Sequence, residues 1–157
     1  MSYSYHLDKS IEYTFKMMTE KSAREKINYG GNIIDQVFLG SWSENYKSWR
    51  DYNSVKKIII KYEDLIQNPY ETFFKIINYL NEINGLPIDE EMIKKSIDNT
   101  RFKNLQDLEK KFGFKEQGYG VFFRKGKSGN WKTELNKIIA FQIEQAFKEE
   151  MKELNYL

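Results

Sequence analysis

The run Phe122-Phe123-Arg124-Lys125-Gly126-Lys127-Ser128-Gly129-Asn130-Trp131-Lys132 sets three cations and two glycines in a short loop between aromatic flanks. Glycine turns the backbone tightly and lets its N–H groups approach an anion. An arginine fork fits a phosphate, and a lysine adds a mobile point charge. Aromatic flanks that exclude water strengthen each charge. The chemistry implied is capture of a phosphate on a nucleotide-like ligand.

Gly126-Lys127-Ser128 imitates the end of a Walker A loop. That motif places its first glycine five residues before the second. The position is Val121, and Gly120 falls one place early. The stretch before it, Gln117 to Gly120, is a poor strand, so an ATP P-loop is disfavoured. A solvated basic turn is the simplest competing reading, and the loop alone does not separate the two.

The elements that must position this loop follow from periodicity. Residues 7 to 27 are expected to be helical, with Leu7, Ile11, Phe15 and Met18 on one face. Gly30-Gly31 breaks the chain. A second helical stretch is expected over 33 to 50, with Val37, Trp42, Tyr46 and Trp49 packing inward and Gly40-Ser41 marking a helix start. Val55 to Tyr62 reads as a buried parallel strand, because Ile58-Ile59-Ile60 is a continuous β-branched run. Asn68 and Pro69 suit the cap and first position of a helix to about Asn81, striped by Phe73, Ile76, Ile77 and Leu80. Strand then helix makes half of a βαβ unit. Gly85-Leu86-Pro87 is a turn, and an acidic-headed helix starts at Asp89. Residues 100 to 129 read as mostly irregular, with a helical patch over Asn104 to Lys111. A last helix is expected over Leu135 to Leu154.

Composition narrows the classes. A chain of 157 residues with 40% hydrophobic and 31% charged residues suits one globular domain. Aromatics are abundant at 16%, supplying area and stacking faces. The net charge of +2 gives no global basic field for nucleic acid. With no cysteine, thiolate chemistry and disulfides are out, and with one histidine, His6, so is a multi-histidine metal site. No apolar run approaches a membrane span, and the start, Met1 to His6, lacks the pattern of a signal peptide. A cytoplasmic protein is the expectation.

Four segments, in order, carry a resemblance. They are Gly40-Ser41-Trp42; Lys61-Tyr62-Glu63-Asp64-Leu65 with Asn68-Pro69; Thr100-Arg101-Phe102; and Arg124-Lys125-Gly126 with Gly129-Asn130-Trp131-Lys132. Together they resemble the sulfotransferases that use PAPS, 3′-phosphoadenosine 5′-phosphosulfate. The family's C-terminal signature has aspartate where this chain has Asn130. The resemblance implies that Arg124, Lys125 and Gly126 clamp the 3′-phosphate, that Tyr62 lies near the adenine, and that Thr100 and Phe102 contact it by hydrogen bond and ring packing. It also implies that Ser2 touches the 3′-phosphate. PAPS would be the cosubstrate, with no metal. Trp131 is read as packing that braces the loop, and the Glu63-Asp64 pair as a cap or loop brace. His6 is not read as catalytic, because the family's catalytic histidine would lie upstream of Met1.

The resemblance covers only about the C-terminal half of a typical member. The strand, the loop gripping the 5′-phosphosulfate and the catalytic histidine are not in this chain, so no catalytic residue is assigned. The expected fold is α/β and helix-rich, with a partial parallel sheet, resembling the C-terminal half of the sulfotransferase P-loop-like fold in a single truncated domain over residues 1–157. The expected function is transfer of a sulfuryl group from PAPS to a hydroxyl or amine of a small-molecule or glycan acceptor. The alternative is a non-catalytic module that binds PAP or PAPS, or another protein. Nucleic acid and membrane are not expected partners. A sheet without its leading strands exposes an edge and apolar surface, so self-association or pairing with the missing N-terminal half is expected. The family's C-terminal dimer motif is not kept after Lys132, where the sequence reads Thr133-Glu134-Leu135-Asn136-Lys137.

Overall fold

A computed structural model describes residues 2–29, 32–114 and 120–157. They divide into two compact units: one made of residues 1–54 with 131–157, the other of the uninterrupted stretch 55–130.

The first unit opens with α1 (Ser2–His6) and α2 (Ile11–Thr19). The single helix expected over 7 to 27 is therefore not formed. Asp8 takes a left-handed φ of 52°, and Ser10 caps α2 by accepting from the Tyr13 N–H. A hairpin follows, β1 (Arg24–Tyr29) and β2 (Asn32–Phe38), antiparallel with Arg24 opposite Phe38 and Tyr29 opposite Asn32. The register slips at Ile27/Asn28, the sign of a bulge. Gly30-Gly31, read from the sequence as a break in the chain, lies outside the described residues. The helical expectation for 33 onward thus gives way to a strand, and helix resumes only at α3 (Trp42–Asp51).

The start of α3 follows from its chemistry. Gly40 turns with φ 66°, and Ser41 and Glu44 form a reciprocal capping box. Ser41 accepts from the Glu44 N–H at 3.2 Å while the Glu44 carboxylate accepts from the Ser41 N–H at 3.0 Å. The Ser41 N–H, and the Ser41 hydroxyl donating to the same oxygen at 2.8 Å, hold the Glu44 carboxyl below its ordinary value. Trp42 stacks near Tyr46 and meets Phe147 edge-on at 5.1 Å, but Trp49 is 63% exposed and Val37 also faces solvent.

The second unit contributes α4 (Tyr62–Gln67), α5 (Pro69–Asn84), α6 (Glu90–Asn99) and α7 (Phe102–Phe112). Asn68 donates its backbone N–H to Asp64 O but makes no side-chain cap, so Pro69 at the first turn does more than Asn68 to start α5. Thr72 ties α5 back to α4 by donating to Asp64 O at 3.0 Å. Gly85 ends α5 in a left-handed conformation, φ 64° and ψ 21°. Asp89 caps α6 through the Met92 N–H. Tyr70 joins α5 to α6 by donating to Glu90 at 2.9 Å.

Val55 to Lys61 has no regular secondary structure, contrary to the buried parallel strand read from its isoleucines. Among the described residues the one sheet is the antiparallel β1–β2 pair. A β-branched run becomes a strand only where a neighbour completes its ladder. Ile59 is 48% exposed, and Ile93 is the one buried apolar side chain of this unit among the described residues.

Returning to the first unit, the chain forms α8 (Trp131–Glu134), α9 (Lys137–Ala146) and α10 (Lys148–Glu153). The expected last helix is present but divided at Phe147, whose φ of −122° interrupts the helical geometry. Phe147 is buried with Ala23 and Ile139. Lys47 on α3 reaches Glu150 on α10 at 2.7 Å. The Lys47 ammonium holds the buried Glu150 carboxyl below its usual range.

Candidate functional site

Helix α7 is the platform for the basic loop. Phe102, Gln106 and Glu109 stand four and three residues apart, on one helical face. Each engages the segment 122–126. Glu109 is buried, and its carboxylate accepts from the Phe122 N–H at 2.6 Å and from the Phe123 N–H at 3.0 Å. Gln106 Nε2 donates to Phe123 O at 2.8 Å. The Arg124 N–H closes a tight turn onto Phe122 O at 2.9 Å. The rings of Phe102, Phe114, Phe122 and Phe123 meet around this segment, with Phe114 and Phe122 centroids 4.4 Å apart and Phe102 and Phe123 crossing at 79°.

Gly126 is where the loop presses on the platform. Its φ is 58°, and a Cβ there would fall 2.5 Å from Phe102 Cε2 and closer to Cδ2 and Cγ. Only a residue without a side chain fits both the turn and the approach. On the far side, Ser128 Oγ donates to Glu63 Oε1 at 3.0 Å. Glu63 of the acidic pair thus braces the loop against α4. Asn130 Nδ2 donates to Lys127 O at 3.2 Å, a bond that an aspartate carboxylate, lacking a proton, does not make.

Six of the seven residues singled out in the sequence lie in the unit 55–130: Tyr62, Thr100, Phe102, Arg124, Lys125 and Gly126. Phe102 and Gly126 are in direct apposition. Tyr62 is 56% exposed and is the first residue of α4, beside the bracing Glu63, rather than the last residue of a strand. Thr100 caps the end of α6, its hydroxyl donating to Ser96 O at 2.7 Å. Arg124 is half-buried and Lys125 exposed. Ser2 is exposed at the start of α1 in the other unit, which also contains Trp131, 46% exposed at the start of α8.

Sequence reading missed Gln106 and Glu109. The signal was present, since the two share a helical face with Phe102. The region was read as irregular apart from Asn104 to Lys111, which truncated that face by its first residue. Part of the irregular reading, 115–119, lies outside the described residues. Lys103 and Asp107, also on α7, pair at 2.6 Å, and the lysine holds the Asp107 carboxyl below its ordinary value. Among the described residues no cluster of three His, Asp or Glu side chains is arranged to hold a metal ion, and no helix is long and apolar enough to cross a membrane.

A sequence model of the sulfotransferase domain matches residues 2–155. The chain therefore belongs to the sulfotransferase family. It is similar to Sulfotransferase 1E1 of Cavia porcellus, 28% identical over 126 residues, covering 74% of this chain and 40% of that protein. It is also similar to Sulfotransferase 1B1 of Mus musculus, 25% identical over 126 residues, 76% of this chain and 41% of that protein. An amine sulfotransferase of Oryctolagus cuniculus is 23% identical over 137 residues, 80% of this chain and 44% of that protein. The chain thus spans about two fifths of the length of these curated relatives.

Proposed function

We propose that this chain provides the 3′-phosphate and adenine side of a sulfotransferase nucleotide site, the whole enzyme transferring a sulfuryl group from PAPS to an acceptor hydroxyl or amine. The observation that carries the reading is the apposition of Gly126 and Phe102, which joins the basic turn to a ring assigned to the nucleotide. Arg124 and Lys125 are the donors for a phosphate at that turn. Thr100 spends its proton on Ser96 O and keeps a lone pair to accept from an adenine amino group. Tyr62 and the ring of Phe102 supply packing for the base. None of these groups acts on the transferred sulfuryl. Their contribution is remote binding energy, which orients the reacting end.

The relatives' greater length supports a division of labour in which the reacting end lies on polypeptide beyond these residues. Residues 55–61 are then the strand of a parallel sheet that such polypeptide completes. A second copy of the chain is another partner able to cover the exposed Ile59. The second reading is a module that binds PAP or PAPS without turnover.

Calorimetric titration with PAP beside ADP tests nucleotide recognition. PAP is expected to bind weakly but more tightly than ADP, because only PAP carries the 3′-phosphate. Equal affinities would remove the basis for the assignment. A sulfuryl-transfer assay on the chain alone is expected to give little or no product.

A further inference from the structure

We propose that Glu109 is a positioning residue that presets the phosphate-binding turn before ligand arrives, with Gln106 as its helper. The inference rests on the reading of Arg124 to Gly126 as a 3′-phosphate site. A buried carboxylate is kept only where its lone pairs are satisfied. Here they are spent on two consecutive backbone amides, at 2.6 Å and 3.0 Å. Charge-assisted bonds of this kind are about twice as strong as neutral ones. Gln106 takes the carbonyl of the second of those residues at 2.8 Å. Phe123 is thereby held at both its N–H and its C=O, and the chain leaves a fixed peptide directly into Arg124.

Two consequences follow. The amides of Phe122 and Phe123 are consumed inside the protein, so an incoming phosphate is met by groups from Arg124 onward. The direction in which Arg124 and Lys125 project is set by helix α7 rather than by the ligand. Binding then costs less ordering of the loop, which appears as affinity. Glu109 does not touch the nucleotide, and it acts through the backbone.

The test uses the full chain as wild type, E109Q and R124A. Gln keeps the shape of Glu109 but offers one acceptor oxygen and turns an N–H toward the second amide. Amide hydrogen exchange at Phe122 and Phe123 is expected to quicken about tenfold in E109Q, and PAP affinity to fall about tenfold, as for loss of one charged-acceptor bond. The dependence of PAP affinity on salt is expected to stay that of wild type in E109Q, because both cations remain, and to flatten in R124A. A merely structural role would quicken exchange across α5 and α7 together and leave the affinity of the folded fraction unchanged. Wild-type PAP affinity or wild-type exchange in folded E109Q overturns the role of Glu109, while loss of binding in R124A keeps the site itself. No PAP binding by wild type overturns the site and this role with it. If E109Q does not fold, Q106M removes the other half of the clamp; about a threefold loss of affinity is expected from a single weaker bond, and an unchanged affinity overturns the proposal.

Discussion

Replacing Gly126 with alanine combines two separable penalties. The first is conformational: a φ of 58° puts an L-residue in the left-handed region, at a cost of about 1 kcal/mol. The second is steric, since the new methyl would meet the Phe102 ring at three carbons. Forcing a carbon into an occupied space costs about 1–3 kcal/mol. The ring is half-buried, so it yields in part, and the sum is about 2–4 kcal/mol. Gly129 is the control within the same loop. Its φ is 82° and nothing lies within 4 Å of its virtual Cβ, so G129A is expected to cost only the conformational ~1 kcal/mol. Urea denaturation of G126A, G129A, F102A and the G126A/F102A double variant measures the split. Removing the ring should restore the steric part, a coupling of about 1–3 kcal/mol between the two sites. Equal costs for G126A and G129A, or a coupling under about 0.5 kcal/mol, would refute the packing of the turn on α7.

Two further outcomes are expected. K47M strips the partner from the buried Glu150 carboxylate and is expected to destabilise by about 2 kcal/mol, or about 5 °C in Tm, less than for a fully buried pair because Lys47 is half exposed. Glu150 has a lowered folded pKa, so its contribution is present above the ordinary glutamate value of 4.5 and is lost as pH falls through the folded value. Melting curves should therefore diverge at pH 7 and converge in acid, and a constant gap would exclude the ion pair as the cause. Light scattering across a concentration series is expected to show association, reduced by placing lysine at Ile59. A monomer at every concentration would mean that the exposed Ile59 needs no cover.

The helices were legible where their ends carry chemistry. Gly40-Ser41, Pro69 and Asp89 marked three helix starts through side chains or backbone freedom that the sequence displays openly, whereas the end of α5 was read at about Asn81, three residues short of Asn84. The hairpin was not seen, although Gly30-Gly31 between two candidate strands is a hairpin signal. The stripe of Leu7, Ile11, Phe15 and Met18 suggested one continuous helix and carried it to residue 27, into β1, where Ile27 and Tyr29 alternate with polar residues instead of following the helical period. Val55 to Lys61 failed in the opposite sense. Its residues suit a strand, but strand formation is a property of pairs, and no segment among the described residues pairs with it. In the site, Arg124, Lys125 and Gly126 were conspicuous because charge and glycine announce themselves. Glu109 was hidden because a carboxylate that serves backbone amides looks, in sequence, like any other acid on a helix.

The first unit is assembled from both flanks of the chain, whereas residues 55–130 are contiguous. On the ribosome, the contiguous unit is finished while the opening 54 residues still lack α9 and α10, so Lys47 waits roughly a hundred residues of synthesis for Glu150. At about 5–20 residues per second that is an interval of about 5–20 s. Throughout it Trp42 has no Phe147 to meet, and the nascent hairpin and α3 depend on whatever shields them. The contiguous unit can therefore mature before its discontinuous neighbour, whose second flank follows it in the chain.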